Sequence, residues 1–251
     1  MRAISTGVRS YVRPDGRCLV RPTGAWTREA AAEAVALAEE LRLPALAHLD
    51  GDAIDDHDVL ARAGFTASRT HTHVVVDVEV ARATLGAADV PLGVETASAA
   101  DANEDRLRLL DDELRADVPG TSGWTSTSEE FRAHTFDDPA FDPRTYLVAV
   151  DVSTGEYLGL VRIWMNPPVP RLGLVGTRRE QRRRGIASAL LRLALAAVHA
   201  AGEAEVVTEY DIENEASRAF FARLGARPSG TTTELVYEPE PAKSKEPFGV
   251  R

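Results

Sequence analysis

Residues 172–187 read LGLVGTRREQRRRGIA, and this stretch joins an apolar strand to an apolar helix through a basic loop. The helix is predicted to span residues 186–201, and its first turn leaves several backbone N–H groups without helical partners. These groups lie at the positive end of the helix dipole, so the stretch predicts a site for an anion. Gly185 would let a phosphate group approach the backbone, and the small Ala187 keeps the first turn open.

The loop is rich in arginine although the chain as a whole carries a formal net charge of −10. Its five arginines are Arg178, Arg179, Arg182, Arg183 and Arg184. Together they raise the local positive potential, which favours anion binding. A second interpretation stays open, in which the cluster is a solvated, arginine-rich turn.

Two common phosphate loops are excluded, because neither G-x-x-x-x-G-K-[ST] nor a G-x-G-x-x-G after a strand occurs. Residues 182–187 instead read RRRGIA, which fits the pattern [Q/R]-x-x-G-x-[G/A]. With a strand before it and a helix after it, this loop resembles that of the GNAT superfamily of N-acetyltransferases. In that family the loop lies between the fourth strand and the third helix and holds the pyrophosphate of acetyl-CoA.

The resemblance extends over about residues 92–238. Residues 206–208 look like the family's fifth strand, and the run from Asn214 to Gly225 is similar to the family's signature around the fourth helix. It implies an α/β (α+β) fold with a mixed, mostly antiparallel sheet flanked by helices. The residues that it implies at the acetyl-CoA site are Val175, Gly176, Thr177, Arg182, Arg183, Arg184, Gly185, Ile186, Ala187, Ser188, Asn214 and Phe221.

The first part of the chain predicts a smaller β-α-β-α-β unit, with strands at residues 16–22, 45–49 and 72–80 and helices at 27–41 and 53–63. Its order looks like half of a GNAT domain, but residues 21–26, RPTGAW, lack the phosphate-loop pattern. An unrelated α/β appendage is the alternative. Tandem arrangements of this kind resemble mycothiol synthase, although nothing here identifies that substrate.

We therefore expect four segments along the chain. Residues 1–86 form a degenerate GNAT-like unit, 87–91 a linker, 92–240 the acetyltransferase domain and 241–251 a mobile tail. The whole stretch 81–91, ARATLGAADVP, has the composition of a linker.

The reaction that the resemblance implies moves an acetyl group from a thioester to an amine, which must first lose a proton because the pKa of an alkylamine is about 10. A carboxylate can act as the general base, and Glu209 at the end of the fifth strand is the candidate. An ordinary polar strand end is the other interpretation of Glu209. The family's oxyanion donor, a backbone N–H of the fourth strand, falls near residues 175–177.

Many family members use a tyrosine of the fourth helix to protonate the departing thiolate. Phe221 stands at that position here, so Tyr210 becomes the candidate acid, and water alone is an alternative. Trp124 and Phe131 either line the acceptor pocket or belong to the core. An acidic rim would attract a cationic amine, and its members are Asp111, Asp112, Glu113, Asp117, Glu129 and Glu130.

Composition narrows the remaining classes. The negative charge argues against a general nucleic-acid partner, and no apolar run is long enough to predict a membrane span. The single cysteine, Cys18, excludes an intrachain disulfide and favours a reducing cytoplasm. A metal site around residues 55–58 with His71 and His73 is disfavoured, because these residues fit a helix first turn and an alternating strand.

The sequence thus predicts a cytoplasmic N-acetyltransferase that uses acetyl-CoA and no metal. The acceptor is a small-molecule or peptide amine, with no nucleic-acid or membrane partner, and a homodimer is left open. The alternatives are a non-catalytic acyl-CoA-binding or regulatory module and an interaction protein that keeps only the fold.

Overall fold

A computed structural model describes residues 7–87, 89–121 and 123–240. The chain divides into two compact units, one of Met1–Thr70 with Thr232–Arg251 and one of His71–Thr231. We call these the terminal unit and the central unit. The division falls after Thr70 and Thr231, whereas the sequence placed a linker at residues 87–91. The predicted tail, 241–251, lies outside the described residues.

The terminal unit is an α/β layer in which two helices cover one face of a sheet. Its elements are β1 (Val8–Val12), β2 (Cys18–Pro22), α1 (Arg28–Leu41), β3 (Ala45–Asp50), α2 (Ile54–Arg62) and the terminal-unit parts of β4 (Thr66–Asp77) and β10 (Arg227–Tyr237). β1 pairs antiparallel with β2, β2 parallel with β3, and β3 antiparallel with residues 232–237 of β10. The alternating residues of these strands that meet the helices, such as Val20, Ala47 and Leu235, form the core.

The central unit has the larger sheet. Its elements are the rest of β4, α3 (Val78–Leu85), β5 (Val94–Ser98), α4 (Glu104–Ala116), α5 (Ser128–Ala133), β6 (Tyr146–Asp151), β7 (Tyr157–Trp164), β8 (Arg171–Thr177), α6 (Ile186–Ala200), β9 (Glu205–Asp211) and α7 (Glu215–Arg223), followed by the start of β10. The strand order is β5-β6-β7-β8-β9-β4, and only β8 and β9 pair in parallel. The predicted mixed, mostly antiparallel sheet is confirmed.

Two cores lie on opposite faces of the central sheet. One packs α3, α6 and α7 through residues such as Ala81, Leu190 and Phe221. The other packs α4 and α5 through residues such as Leu110 and Phe131. The helix α6 is therefore packed against one face of the sheet next to β8, and this packing positions the loop between β8 and α6.

Two local expectations were wrong. The sequence predicts no strand before residue 16, but β1 lies at Val8–Val12. Four of its five residues are exposed, so no alternation of apolar and polar residues marks this strand. Residues 81–85 belong to α3 and not to a linker, because β4 stops at Asp77, whose side chain accepts a hydrogen bond from Val80 N at 2.8 Å and caps the helix. Ala81 and Leu85 are buried in the central core.

Candidate active site

The two parallel strands β8 and β9 separate soon after they begin. Among the described residues, the only ladder pair between them is Arg171 with Val207, and Val207 N donates to Pro170 O at 2.9 Å beside it. One further bond, from Thr208 Oγ1 to Leu172 O at 2.9 Å, ties the strands together. Beyond this point the described residues of β8, up to Thr177, form no ladder pair with β9, so a gap opens toward the carboxyl ends of both strands.

The backbone of β8 presents donors to this gap. Arg178 N donates to Leu158 O at 2.9 Å, so the alternation of an antiparallel ladder directs Gly176 toward β7 and directs the N–H groups of Val175 and Thr177 away from it. Both residues lie in the range 175–177, for which the oxyanion donor stays a prediction.

The basic loop ends at an open helix start. Gly185 is the N-cap residue of α6, with φ of +85°, and no side chain caps the helix. A β-carbon built at Gly185 would meet no atom within 4 Å, so the space beside this residue is open. Arg183 also has a left-handed backbone, with φ of +64°. The loop thus has left-handed backbone at both residue 183 and residue 185. This conformation leaves the N-terminal amides of α6 exposed to an anion.

A cleft of about 360 Å³ connects this loop with the gap. Of the residues implied at the acetyl-CoA site, the cleft is lined by Val175, Gly176, Thr177, Arg182, Arg183, Ala187, Asn214 and Phe221. The others lie beside it. Gly185 starts the helix, Ile186 is buried in the core, Ser188 accepts a hydrogen bond from Arg223 Nη2 at 3.2 Å, and Arg184 bonds the side chain of Gln181.

Sequence reasoning missed part of the lining. The cleft is also lined by Leu114, Asp117, Val118, Leu174, Ala216, Ser217 and Phe220. Leu114, Asp117 and Val118 come from the end of α4, which is far from the loop in sequence, so no local pattern could place them there.

Acids at the end of α4 hold three of the loop arginines. Asp117 bonds both Arg179, with Nη2 to Oδ1 at 2.9 Å, and Arg182, and Arg178 lies 3.1 Å from Glu113. The hydrogen bond from Arg179, with the charge of Arg182, lowers the pKa of Asp117. The loop is therefore braced by ion pairs and is not a freely solvated turn.

The expected acidic rim is largely neutralised by partners of its own. Asp111 is buried between Arg162 and Arg115, at 2.8 and 2.5 Å, and their charges outweigh the effect of burial and lower its pKa. Asp112 accepts from Ser126 N at 3.2 Å, and Glu130 completes the capping box of α5 with Thr127. Most of these carboxylates therefore have structural partners, and the attraction of a cationic amine to the rim stays a prediction.

The two candidate catalytic residues lie on opposite faces of β9. Glu209 Oε1 accepts from Arg171 Nη2 at 2.8 Å, and Oε2 lies 3.6 Å from His73 Nδ1 on β4. Tyr210 faces the other way and stacks on Phe221, with ring centroids 6.0 Å apart. Only Tyr210 therefore touches a residue of the cleft lining directly, and Glu209 is not among the lining residues.

The two aromatic candidates for the acceptor pocket both contact other parts of the protein, one in the core and one in a loop. Phe131 is buried in the core between α4 and α5. Trp124 packs over the guanidinium of Arg115 at 4.7 Å and donates from Nε1 to Ser126 Oγ at 3.2 Å. Within the described part of the chain, no group of three or more His, Cys, Asp or Glu residues could hold a metal ion.

Comparison with known proteins now decides the family. Residues 108–226 match the model of the acetyltransferase (GNAT) family. This segment belongs to the GNAT family. It contains the loop, the start of α6 and most of the cleft lining, so the resemblance read from residues 182–187 is confirmed.

Solved GNAT structures share the fold over most of the chain. A GCN5-related N-acetyltransferase from Sphaerobacter thermophilus aligns with a TM-score of 0.71 at 18% identity, over 93% of this chain and 76% of that one. A tandem GNAT protein from the clavulanic acid biosynthesis pathway aligns with 0.65 at 20%, over 91% and 77%. A GCN5-related N-acetyltransferase from Kribbella flavida aligns with 0.59 at 16%, over 94% and 91%. At these identities the likeness shows the fold alone. The similar structures include a tandem GNAT protein, in agreement with the tandem arrangement that the sequence predicted.

No curated protein sequence matches the chain significantly. In the described ranges, no helix has the length and apolar character to cross a bilayer.

Proposed function

We propose that this protein is an N-acetyltransferase that moves an acetyl group from acetyl-CoA to an amine by direct attack. The observation that carries the proposal is the continuous path from the uncapped start of α6 to the gap between β8 and β9. This path offers the amides at the start of α6 at one end and strand N–H groups that point away from β7 at the other, as an acyl-CoA requires.

The loop residues fit the phosphate end of the ligand. Amides at the start of α6 would donate to the pyrophosphate, and Arg182 and Arg183 line the same cleft. Asp117 also lies there and binds Arg182, so the phosphates compete with this carboxylate for the guanidinium. The apolar walls of Phe220 and Phe221 suit the acyl-carrying arm.

The strand residues fit the reacting end. Acetyl-CoA supplies the thioester, and the N–H groups of Val175 and Thr177 point into the gap where its carbonyl oxygen would lie. A donor placed there stabilises the charge that develops on that oxygen as the amine attacks. The protein needs no nucleophile of its own for this route.

Two side chains are proposed for the proton transfers. Glu209 takes the proton of the amine, directly or through a water, while Arg171 fixes the carboxylate. Tyr210, held against Phe221, gives a proton to the departing thiolate. The acceptor is a small-molecule or peptide amine, and a cytoplasmic location fits the single cysteine.

A second candidate function is a non-catalytic acyl-CoA-binding module. It is favoured by Phe221, which supplies no proton where family members often have a tyrosine, and by the absence of Glu209 from the cleft lining. Both functions require binding of the acyl-CoA, and only the first requires turnover.

Two measurements test the proposal. Calorimetry with acetyl-CoA should show one site per chain, and absence of binding would reject both candidates. An assay of free thiol release over a panel of small amines and short peptides should then show acceptor-dependent turnover. Binding without turnover on any acceptor would favour the non-catalytic module.

A further inference from the structure

The β1–β2 hairpin of the terminal unit carries two arginines directly opposite each other. Arg9 pairs with Arg21 in the antiparallel register, and the next pair on the same face is Tyr11 with Leu19. A concave surface of about 320 Å³ is lined by Arg9, Ser10, Tyr11, Leu19 and Arg21. This surface faces away from the helices, because the intervening residues Val8, Cys18 and Val20 are buried in the core under α1 and α2.

Among the described residues, the two guanidinium groups have no counter-charge of their own. Both residues are exposed, and neither side chain forms an ion pair or a hydrogen bond with any described residue. Like charges directly opposite each other in a strand pair are destabilising. The hairpin thus holds two positive charges close together, and no described residue compensates their repulsion. This arrangement points to an anion that binds from solution.

Nearby acids cannot serve as that anion. Asp15 and Glu234 lie close to the hairpin, but each side chain is only 1% exposed and already engaged. Asp15 bonds Arg13 at 2.9 Å and Arg17 at 2.7 Å, and Glu234 bonds Arg69 at 2.8 Å. Glu234 alternates with the buried Leu235, so this cluster belongs to the same helix-free face. These two acids are therefore already paired with other arginines, whereas Arg9 and Arg21 remain exposed.

We propose that this face binds a small phosphomonoester. Its phosphate would lie between Arg9 and Arg21, and its ring or chain would rest on Tyr11 and Leu19. A phosphomonoester carries a charge of about −1.5 to −2 at pH 7 and three acceptor oxygens, so one group can satisfy two guanidinium forks. A carboxylate would neutralise only one of the two charges.

The test uses the full chain and phenyl phosphate as the probe. Titration calorimetry is run with coenzyme A in excess, so that the cleft of the GNAT domain is already filled. We expect one phenyl phosphate per chain, with inorganic phosphate and benzoate each binding more weakly. Arg9→Gln and Arg21→Gln should each weaken phenyl phosphate by about tenfold or more, the size of one charge-assisted contact. Arg28→Gln, an exposed arginine at the start of α1, is the matched control and should change nothing.

A thermal measurement keeps the test independent of folding defects. Phenyl phosphate should raise the Tm of the wild type and of Arg28→Gln but not that of Arg9→Gln/Arg21→Gln, which should itself melt no lower than the wild type because a repulsion is removed. The proposal is overturned if no binding occurs at millimolar probe, if both single variants bind normally, or if benzoate binds as well as phenyl phosphate. Loss of binding in Arg182→Gln would assign the probe to the cleft and would also overturn it.

Discussion

The two units each contain a strand, a loop and a helix in the same order. They differ in the N-cap residue at which the loop ends and the helix begins. In the terminal unit β2 leads to α1, whose N-cap Thr27 accepts a hydrogen bond from Ala30 N at 3.2 Å. In the central unit β8 leads to α6, whose N-cap Gly185 has no side chain to offer. One helix satisfies one of its first amides with a side chain, and the other has no such side chain. The two units share the strand-loop-helix pattern, so the proposed phosphate site rests on the missing side-chain cap at Gly185 and not on that pattern.

The units also hold similar carboxylates in different surroundings. Glu209 on β9 has an arginine and a histidine beside it, Arg171 and His73, and its side chain is 38% exposed. Glu234 on β10 has Arg69 and His48 beside it, and its side chain is 1% exposed. An exposed carboxylate can exchange a proton with a substrate, whereas a buried one held by arginines is costly to disturb, because loss of either partner leaves an unpaired buried charge.

The largest expected effect comes from replacing the N-cap glycine of α6, which is the residue that distinguishes the two helix starts. Gly185→Val should weaken acetyl-CoA binding by on the order of 100-fold, because its side chain enters the open space that the phosphates need and its φ of +85° is strained for valine. Calorimetry measures this. Gly24→Val in the β2–α1 loop also adds a side chain in open space and should leave affinity unchanged. Equal affinities for wild type and Gly185→Val would remove the proposed phosphate site.

The second comparison is sharpened by Glu209→Gln. We expect turnover to fall by about 10²-fold with little change in acetyl-CoA affinity, as for the loss of a general base. The defect should shrink as pH rises, because more of the amine is then deprotonated without help. Thiol release against pH measures this, with Glu205→Gln, also on β9 and paired with Arg227, as the control. Full activity of Glu209→Gln at neutral pH would transfer the role to another group.

The loop arginines should differ among themselves according to their place. Arg182→Ala and Arg183→Ala should each weaken coenzyme A by about tenfold, since both line the cleft and charge-assisted contacts are strong. Arg178→Ala should have a smaller effect, because Arg178 is not among the residues that line the cleft. Affinity should also fall as salt rises. Titrations at two salt concentrations test the order, and equal, negligible effects of all three would contradict it.

Glu234 should make the terminal unit sensitive to acid. Burial alone would raise its pKa, but hydrogen bonds from His48 and Arg69 and nearby arginine charges outweigh it and lower the pKa from 4.5 to about 2. A lowered pKa in the folded state means that the stabilisation is complete above pH 4.5 and is lost as pH falls toward 2. Fluorescence of the buried Trp26, in a background with Trp124 and Trp164 replaced by Phe, should report this loss. Glu234→Gln should flatten the pH dependence, whereas the exposed Asp58→Asn should keep it; an unchanged profile in Glu234→Gln would refute the assignment.

The smallest effect concerns the cap of α1. Thr27→Ala should lower the free energy of unfolding by about 1 kcal/mol, the usual cost of a lost N-cap, and should leave acetyl-CoA affinity unchanged. Thr27→Ser should retain the stability because its hydroxyl can still accept the bond from Ala30 N. Urea unfolding measures both, and a fall in affinity without a fall in stability would show that the two helix starts are not used differently.

Much of the central unit was predictable because its signals are local. The hairpin of β6 and β7, the strand β8 and the apolar helix α6 follow from short patterns of apolar residues and turn residues. The position of Gly185 in the loop likewise depends on its immediate neighbours. The strand β1 and the helix α3 were missed because an exposed strand has no alternation and a capping Asp77 looks like any other strand residue.

The sequence alone determined the resemblance to the GNAT family and the glycine at the start of α6, since each depends on a residue type at a fixed spacing. Only the tertiary structure decided which groups surround that start. It brought Asp117 from the end of α4 to Arg182, placed Glu209 and Tyr210 on opposite faces of β9, and separated β9 from β8. These facts depend on contacts between residues far apart in the chain, and side-chain direction across a sheet is set by packing on its two faces rather than by any local pattern.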